Sequence, residues 1–241
     1  MHAPLIGDDF HLSRTVRCAG CVFRESPTQR SECEVIMCMG LPGSGKTTWT
    51  RKMTSTEEGK HKRYTTIGTE QILTRMAILG KPRNFKAGSS FNRGRMEPDP
   101  LQVPLSHIQG KWLELSHKRN RNYILDQLNV FPGSHVKKMR RYEGFQRSAA
   151  VIMPDDEEYK KRIRKREKDT GTDIPRRSIM ELKNGISLPK VGAEYNGQTM
   201  FDKVIWSDLE FEECNAIVEN YREEAKDYTP ENKKFKGYNL L

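Results

Sequence analysis

Short apolar runs alternate with amphipathic stretches along most of the chain. Apolar runs of four to seven residues, typical of strands buried on both faces of a parallel sheet, occur at Tyr64–Ile67, Val35–Met39, Asn122–Asp126, Arg147–Met153 and Phe201–Trp206. Strands that alternate with helices predict an α/β fold, here a parallel sheet of about five strands flanked by helices.

The stretches between these runs carry apolar residues three and four positions apart, which predicts amphipathic helices. Predicted helices are Lys46–Ser55, Glu70–Leu79, Pro104–Lys118, His135–Tyr142, Arg176–Lys183 and Glu210–Lys226. The polar stretch Glu57–Arg63 is predicted to be a connection without regular structure.

One further helix, Glu157–Lys168, is unusual because its apolar stripe consists of Tyr159 and Ile163 alone, whereas seven of its last nine residues are Lys or Arg. So few apolar contacts predict a helix that does not dock firmly. It is either a solvated face or a basic lid, over residues 155–185, that closes on a phosphate-bearing ligand.

The remaining segments have no sustained period. We predict a flexible N-terminal segment at 1–31, one domain at 32–226 with a flexible Gly- and Pro-rich loop at 83–100, and a loose C-terminal tail at 227–241.

Composition excludes a membrane-spanning chain. Charged residues make up 31% of the sequence, the mean hydropathy is −0.80, and no apolar run approaches the roughly 20 residues that span a bilayer. The N-terminus is acidic rather than basic and no apolar segment follows it, so a secretory signal is not predicted. These features predict a soluble, intracellular protein without a membrane partner.

Cysteine spacing raises a zinc site as an alternative to simple thiols. Cys18 and Cys21 form a Cys-x-x-Cys pair followed by Cys33. A closed zinc site needs four ligands, and the next cysteine, Cys38, falls inside a predicted buried strand. Five reduced thiols without a metal are therefore the preferred interpretation.

The strongest motif is Gly40-x-x-x-x-Gly45-Lys46-Thr47, which follows a predicted strand and opens a predicted helix. This is the pattern of a phosphate-binding loop, whose backbone N–H groups and helix N-terminus bind phosphate oxygens. Lys46 would reach the β- and γ-phosphates of ATP, and the Thr47 hydroxyl would ligate Mg²⁺. The predicted ATP-binding residues are Gly40, Leu41, Pro42, Gly43, Ser44, Gly45, Lys46, Thr47 and Thr48.

Asp126 ends the predicted strand 122–126. In an open parallel sheet, ligands gather at the carboxyl ends of the strands, where the phosphate loop also lies. Asp126 is therefore predicted to serve the same Mg²⁺ as Thr47; the alternative is an Asp that merely caps a loop.

Formal charge is +10, and it is concentrated between Lys111 and Arg147, where nine Lys or Arg face three acids. This excess is either a set of solvated helix faces or an electrostatic footprint for RNA or another single-stranded nucleic acid. The candidate nucleic-acid contacts are Lys118, Arg119, Arg121, Lys137, Lys138, Arg140 and Arg141. Because four of these follow Asp126 closely in sequence, we expect a bound strand to place its end near the γ-phosphate.

Several motifs in order resemble the heterogeneous nuclear ribonucleoprotein U family: Cys33–Trp49, Arg121–Val130, Tyr142–Arg147 and Asp156–Lys160. The resemblance covers about residues 33–226. It implies a P-loop NTPase fold of the kinase type, similar to polynucleotide 5′-hydroxyl kinases, with ATP and Mg²⁺ as cofactors. It further implies a nuclear, RNA-associated protein with a role in RNA processing or chromatin organisation. The family's SAP, SPRY and Arg-Gly-Gly regions are not present in this sequence, so their functions are not carried over.

Catalytic positions depart from the kinase pattern that the resemblance implies. The Asn-Arg-Asp of polynucleotide kinases is Gly68-Thr69-Glu70 here, so Glu70 is either a general base one methylene longer than Asp or a first-turn helix acid. The Thr-Asn that follows the strand acid is Leu128-Asn129. Arg162 and Arg166 match the lid arginines that neutralise charge on the transferred phosphate.

These departures predict a nuclear ATP-binding, RNA-associated protein in which kinase or ATPase activity is weak or absent. An active polynucleotide 5′-hydroxyl kinase is the rival hypothesis. A third reading, an interaction module with a vestigial loop, is disfavoured because the loop motif is intact. Self-association is left open by the sequence.

Overall fold

The computed structural model describes residues 27–73, 102–170, 176–192, 194–195 and 198–226. Residues 1–26, 83–100 and 227–241, for which flexibility is predicted, lie outside the described residues, as do Cys18, Cys21 and the predicted helical residues 74–79.

A parallel sheet of five strands forms the centre of the domain, in the order β2-β3-β1-β4-β7. Its members are β1 (Glu34–Met39), β2 (Thr65–Gly68), β3 (Tyr123–Asp126), β4 (Gln146–Val151) and β7 (Lys203–Trp206). Two short strands, β5 (Glu194–Tyr195) and β6 (Gln198–Thr199), form a separate antiparallel pair that the sequence did not indicate. The predicted α/β class, the parallel sheet and its five strands are thus confirmed.

Helices connect the parallel strands. They are α1 (Lys46–Ser55), α2 (Glu57–Lys62), α3 (Thr69–Leu73), α4 (Gln102–Ser116), α5 (Pro132–Met139), α6 (Asp156–Thr170), α7 (Arg176–Gly185) and α8 (Phe211–Lys226), with 3₁₀ turns at Arg30–Glu32 and Arg140–Tyr142. Among the described residues, no helix is both long and apolar enough to cross a bilayer.

The two faces of the sheet bury unequal cores because successive residues of a strand point to opposite faces. Val35, Met37 and Met39 of β1 join the larger core, which also takes side chains from α4, α5, α7 and α8. Ile36 and Cys38 point to a smaller core covered by Trp49 and Met53 of α1. Continuous apolar sequence in β1 is therefore explained by helices on both faces.

The prediction of an irregular connection at 57–63 is wrong, because α2 occupies Glu57–Lys62. The Thr56 side chain caps its start by accepting a hydrogen bond from the backbone N–H of Gly59. Acids fill its first turn and basic residues its last turn, an order that the helix dipole favours. The helix has few apolar residues, so periodicity alone did not reveal it.

The three cysteines that the structure describes, Cys33, Cys38 and Cys214, are buried thiols without a disulfide. Burial raises the pKa of Cys38 to about 12, and its Sγ lies 3.5 Å from the Thr50 hydroxyl. Cys18 and Cys21, the pair that raised the zinc alternative, lie outside the described residues. The described residues contain no cluster of three or more His, Cys, Asp or Glu suited to a metal.

Candidate functional site

The phosphate loop occupies residues 40–45, between the end of β1 and the start of α1. Gly43 has φ +82°, and a Cβ on it would lie 2.5 Å from the Ile163 side chain. A Cβ on Gly40 would lie 2.4 Å from the carbonyl oxygen of Ile152. Only glycine fits at these two positions, because one needs a left-handed backbone and both need close approach by neighbours.

Lys46 is the first residue of α1 and its side chain is buried. Its Nζ donates to the carbonyl oxygens of Gly40 at 3.0 Å and Leu41 at 2.7 Å. Burial lowers the pKa of Lys46 to about 8, while the nearby Asp126 carboxylate opposes this shift. The ammonium is therefore held inside its own loop, mostly charged at neutral pH, with acceptors that a phosphate could replace.

The register of the sheet places Asp126 beside the phosphate loop. Met37 of β1 pairs with Leu125 of β3, so Asp126 lies one position further along, at the carboxyl edge beside the phosphate loop. Its side chain is buried, and its charge acts on both Lys46 and Cys38. The sequence expectation that Asp126 and the loop share one edge thus agrees with the described positions.

The residues at this edge fit a Mg²⁺·nucleotide. The Ser44 Oγ is buried and has no hydrogen-bond partner among the residues that the structure describes. Thr47 and Asp126 offer hydroxyl and carboxylate oxygens, the ligands that Mg²⁺ takes together with phosphate oxygens and water. A single carboxylate is sufficient for such a site, because Mg²⁺ takes its other ligands from phosphate oxygens and water.

The segment after β3 forms hydrogen bonds with the phosphate loop and the end of β1. Gly40 N–H donates to the carbonyl oxygen of Leu128 at 3.2 Å, and the Asn129 side-chain amide donates to the carbonyl oxygen of Cys38 at 2.8 Å. Asn129 has φ +45°, a conformation that Asn tolerates better than most residues. The contact to the loop uses the backbone carbonyl of Leu128 and therefore does not depend on a hydroxyl at this position.

Lys138 of α5 stabilises this segment through side-chain hydrogen bonds. Its Nζ donates to the Asn129 Oδ1 at 2.5 Å and to the Gln127 Oε1. Burial lowers the pKa of Lys138 to about 8. Sequence reasoning grouped Lys138 with the exposed cations, because nothing in its neighbourhood signals an inward side chain.

The basic lid is docked on the phosphate loop, so the prediction that α6 does not dock firmly is wrong. Tyr159 is 5% exposed and its hydroxyl donates to the carbonyl oxygen of Pro42 at 3.1 Å. Ile163 packs on Gly43, where no side chain intervenes. Two apolar residues suffice here because the loop presents bare backbone to the helix.

Arg162 completes this contact. One guanidinium nitrogen donates to the carbonyl oxygen of Ser44, and another donates to Asp208 Oδ1 at 2.8 Å, in the turn after β7. Its Nε donates to Glu158 at 3.0 Å. Partial burial opposes the charge, but the two carboxylates raise the pKa of Arg162 above its ordinary value. Sequence reasoning identified Arg162 and missed Asp208, which lies 46 positions away.

Arg166 lies one turn beyond Arg162 on α6, and its charge contributes to lowering the pKa of Lys46. Both lid arginines thus lie within the electrostatic field of the phosphate loop. Glu70 belongs to the first turn of α3, two residues after Gly68, whose register partner is Asp126. The backbone therefore brings Glu70 to the same edge of the sheet.

The remaining candidate nucleic-acid contacts form a second basic surface, here called the edge patch, made of Lys118, Arg119, Arg121, Lys137, Arg140 and Arg141. All six are exposed. Arg119 and Arg121 precede the start of β3, and Arg140 and Arg141 occupy the 3₁₀ turn before β4. Parallel strands start at one edge, so the patch lies at the amino edge of the sheet, opposite the phosphate loop.

This position corrects the expectation that the patch would place a strand end near the γ-phosphate. Helix α5 runs from the carboxyl edge to the amino edge, and its eight residues span about 12 Å. Sequence proximity to Asp126 was misleading because the helix carries the chain away from it. Beside the patch, α4 and α5 enclose a groove of about 410 Å³ lined by Leu113, Glu114, His117, Lys137 and Arg141, among others.

Comparison with known proteins gives a family match over most of the domain. Residues 35–189 match a family described as an AAA domain. Heterogeneous nuclear ribonucleoprotein U-like protein 2 from Homo sapiens is 34% identical over 211 residues, and the protein of that name from Mus musculus is 33% identical. Each alignment covers 86% of this chain and 26% of the relative, so the chain spans about a quarter of the length of these curated relatives. The predicted resemblance is confirmed.

Two solved structures are similar in fold at low sequence identity. Kti12 from Chaetomium thermophilum in complex with ADP-AlF3 has 14% identity and a TM-score of 0.48, with 80% of this chain and 97% of that chain covered. A fungal RNA kinase has 12% identity and a TM-score of 0.39, with 82% and 99% covered.

Proposed function

This chain belongs to the AAA domain family, and from that premise we propose that it binds Mg²⁺·ATP as part of an RNA-associated, nuclear protein of the ribonucleoprotein U type. Its role would be in RNA processing or chromatin organisation. The fold is a P-loop NTPase of the kinase type, with a parallel sheet and a basic helical lid.

One observation carries the ATP-binding part of the proposal: the buried Lys46 ammonium, whose acceptors are carbonyl oxygens of its own loop. A buried charge is costly unless it is compensated, and the nearby Asp126 carboxylate and two neutral carbonyl oxygens share that role for Lys46. Phosphate oxygens at the mouth of the loop would replace the two carbonyls with stronger, charged acceptors, and the N–H groups of residues 43–47 would donate to them.

Three further residues would hold the ligand. The Ser44 hydroxyl, which has no hydrogen-bond partner in the described part of the chain, can donate within the loop, and Thr47 and Asp126 would hold Mg²⁺. When bound, Mg²⁺ neutralises charge on the phosphates. Arg162 would stay above Ser44 because Asp208 and Glu158 keep its guanidinium in place.

RNA association and a nuclear location are proposed from two supports. The curated relatives are named as nuclear ribonucleoproteins and share about a third of their aligned residues with this chain. The chain also carries strong positive charge, +10 overall, much of it exposed on the edge patch and α6. Such charge attracts a polyanion.

Weak or absent turnover is proposed because the catalytic set is incomplete: Leu128 lacks a hydroxyl and Glu70 stands where kinases have Asp. An active polynucleotide 5′-hydroxyl kinase is the second candidate. In its favour, the backbone of α3 brings Glu70 to the edge where Asp126 and Lys46 lie. In that reading Glu70 would accept the proton of the attacking hydroxyl.

One experiment tests both candidates. The protein is incubated with γ-labelled ATP and a 5′-hydroxyl oligonucleotide, and end-labelling and phosphate release are both scored. We expect ATP binding by calorimetry with neither activity above background. Robust end-labelling that Glu70→Gln abolishes, while ATP affinity is retained, would establish the kinase candidate instead.

A further inference from the structure

The outer side of α6 carries a basic surface that is distinct from the edge patch. Lys161, Arg164, Lys165 and Lys168 recur at helical spacing, and all four are exposed. We call this set the α6 basic face. It points away from the phosphate loop, since Tyr159, Arg162 and Ile163 hold the opposite side of the helix against that loop.

The acids of α6 whose side chains the structure describes, up to Glu167, form no ion pair with Arg164, Lys165 or Lys168. The N-terminal carboxylates of α6 pair within the first half of the helix: Asp156 with Lys160, and Glu158 with both Lys161 and Arg162. Arg164, Lys165 and Lys168 form no ion pair within the described part of the chain. Glu167, which lies among them, is half-buried and pairs with none of the three.

This arrangement is unfavourable for an isolated helix. Lys161 and Lys165 lie four residues apart, as do Arg164 and Lys168, and like charges at this spacing repel each other and destabilise a helix. An anion that neutralises the face would relieve this repulsion. A single small anion could not, because the face extends over two turns, about 10 Å.

From these observations we propose that the α6 basic face is the surface on which a single-stranded nucleic acid is held beside the phosphate loop. The inference rests on the proposed function and names the place where its RNA partner is bound. The helix connects the two ligands physically, because its inner side contacts residues 42–44 of the loop while its outer side holds the strand. A strand on this face lies at the carboxyl edge, which the edge patch cannot reach.

A nucleic acid fits this face better than an acidic protein does. Its backbone places charges at regular, short intervals along one line, as the cations of the face are placed along the helix. The neighbouring site is built for phosphate oxygens. An acidic protein partner is the alternative, and the test below separates the two.

The test compares two triple variants that remove equal charge. Arg164→Gln/Lys165→Gln/Lys168→Gln neutralises the face, and Gln keeps a good helix propensity. Lys52→Gln/Lys190→Gln/Lys203→Gln removes three exposed, scattered cations and is the control. Binding of a fluorescent single-stranded RNA of about 12 nucleotides is measured against salt by anisotropy, without ATP.

The face variant is expected to lose about fivefold in RNA affinity per lost contact at about 0.1 M salt, and its log–log salt slope should fall by about 2. The control variant should keep an RNA affinity within about twofold of that of the unchanged protein, with little change in its salt slope. Lys165→Arg/Lys168→Arg, which preserves charge, should bind RNA like the unchanged protein. Helicity and thermal midpoint, measured in parallel, verify that α6 still forms.

Three outcomes would overturn the inference: equal RNA affinity and slope in the face variant and the unchanged protein, equal losses in face variant and control, or tighter binding of polyglutamate than of RNA with the same number of charges. Calorimetry with Mg²⁺·ATP keeps the proposed function separate. An unchanged protein that binds RNA through the face but binds no ATP would defeat the proposed function and leave this inference standing.

Discussion

The α6 basic face, with four cations, and the edge patch, with six, are both basic but lie at opposite edges of one parallel sheet. The face belongs to a helix that contacts the phosphate loop through Tyr159 and Arg162. The patch surrounds the starts of β3 and β4, where the 3₁₀ turn is anchored by Tyr142, whose hydroxyl lies 2.6 Å from that of Ser116. The two surfaces therefore differ in position, because only one of them lies beside the candidate nucleotide site.

Helix α5 joins the two edges, and its residues divide accordingly. His135 and Lys138 turn inward and bond to Asn129, which supports the phosphate loop. Lys137 and the following Arg140 and Arg141 are exposed and belong to the patch. One run of basic sequence thus contributes both to the interior of the nucleotide site and to a remote surface.

The largest effect is expected where the carboxyl edge meets the nucleotide. Lys46→Ala should weaken Mg²⁺·ATP binding by roughly a hundredfold, because a charge-assisted contact to phosphate is lost. Lys52→Ala, on the exposed side of the same helix, is the matched control and should bind ATP normally. Calorimetry measures both, and equal affinities in the two variants would remove the central claim.

A second prediction concerns the inward side of α5. Burial lowers the pKa of His135 to about 4, against an ordinary value of about 6.5, although its hydrogen bond to the Asn129 carbonyl opposes the shift. The unfolded chain therefore binds a proton at higher pH than the folded chain does. Stability should fall as pH drops from about 6.5 towards 4, by about 2 kcal/mol at pH 5.

Denaturant unfolding at several pH values measures this loss. His135→Gln should flatten the dependence between about pH 6.5 and 5, a window above the titration of ordinary carboxylates. His117 is a half-buried histidine on α4, and the control variant His117→Gln should retain the pH dependence of stability. An unchanged pH dependence in the His135 variant would show that this imidazole is not the group that titrates.

The third prediction separates the two basic surfaces by oligonucleotide length. A trinucleotide spans about 10 Å, too short to reach from one edge of the sheet to the other. Neutralising Arg164, Lys165 and Lys168 should weaken binding of short and long strands alike. Neutralising Lys137, Arg140 and Arg141 should flatten the salt slope by about 0.7 per lost contact, and for long strands only.

Titrations with RNAs of increasing length, at several salt concentrations, give both slopes. ATP affinity should stay within about twofold in the patch variant. If the salt slope of the patch variant is unchanged for RNAs of every length, the edge patch is a solvated surface that does not bind RNA. Loss of trinucleotide binding in the patch variant would contradict the placement of the strand on α6.

The smallest effect is expected at the contact that holds the lid arginine. Asp208→Asn removes the charge that orients Arg162 over Ser44, but leaves the bond to Glu158 in place. We expect about a threefold loss of ATP affinity, since a partly exposed ion pair contributes little. Glu210→Gln, which removes a charge from the following turn, should have no such effect; equal losses in both variants would mean a general change in charge.

Much of the carboxyl edge could be predicted from the sequence because local patterns encode it. The run Val35–Met39 agrees with β1 to within one residue, and the predicted helix Lys46–Ser55 has the observed bounds. Asp126 was placed beside the loop by a general rule of parallel sheets, and the register of β1 and β3 agrees. Strand length, glycine spacing and helix start are all properties of adjacent residues.

Errors arose where the outcome depends on residues far apart in sequence. The docking of α6 requires the bare backbone of Gly43, 120 positions before Ile163, and the placement of Arg162 requires Asp208. Lys138 turned inward because Gln127 and Asn129 offer acceptors in a segment with a left-handed residue. None of these partners can be read from hydrophobic periodicity.

By itself, the sequence determined the fold class, the phosphate loop and the total of positive charge, because periodicity, glycine spacing and composition are local or additive properties. Only the tertiary structure decided which charges lie beside the phosphate loop. Helix α5 carries Arg140 and Arg141 away from Asp126, whereas the folding of α6 onto the loop brings Arg162 to Ser44. The direction of a helix and the packing of another on the sheet therefore determine at which of the two edges each basic residue lies.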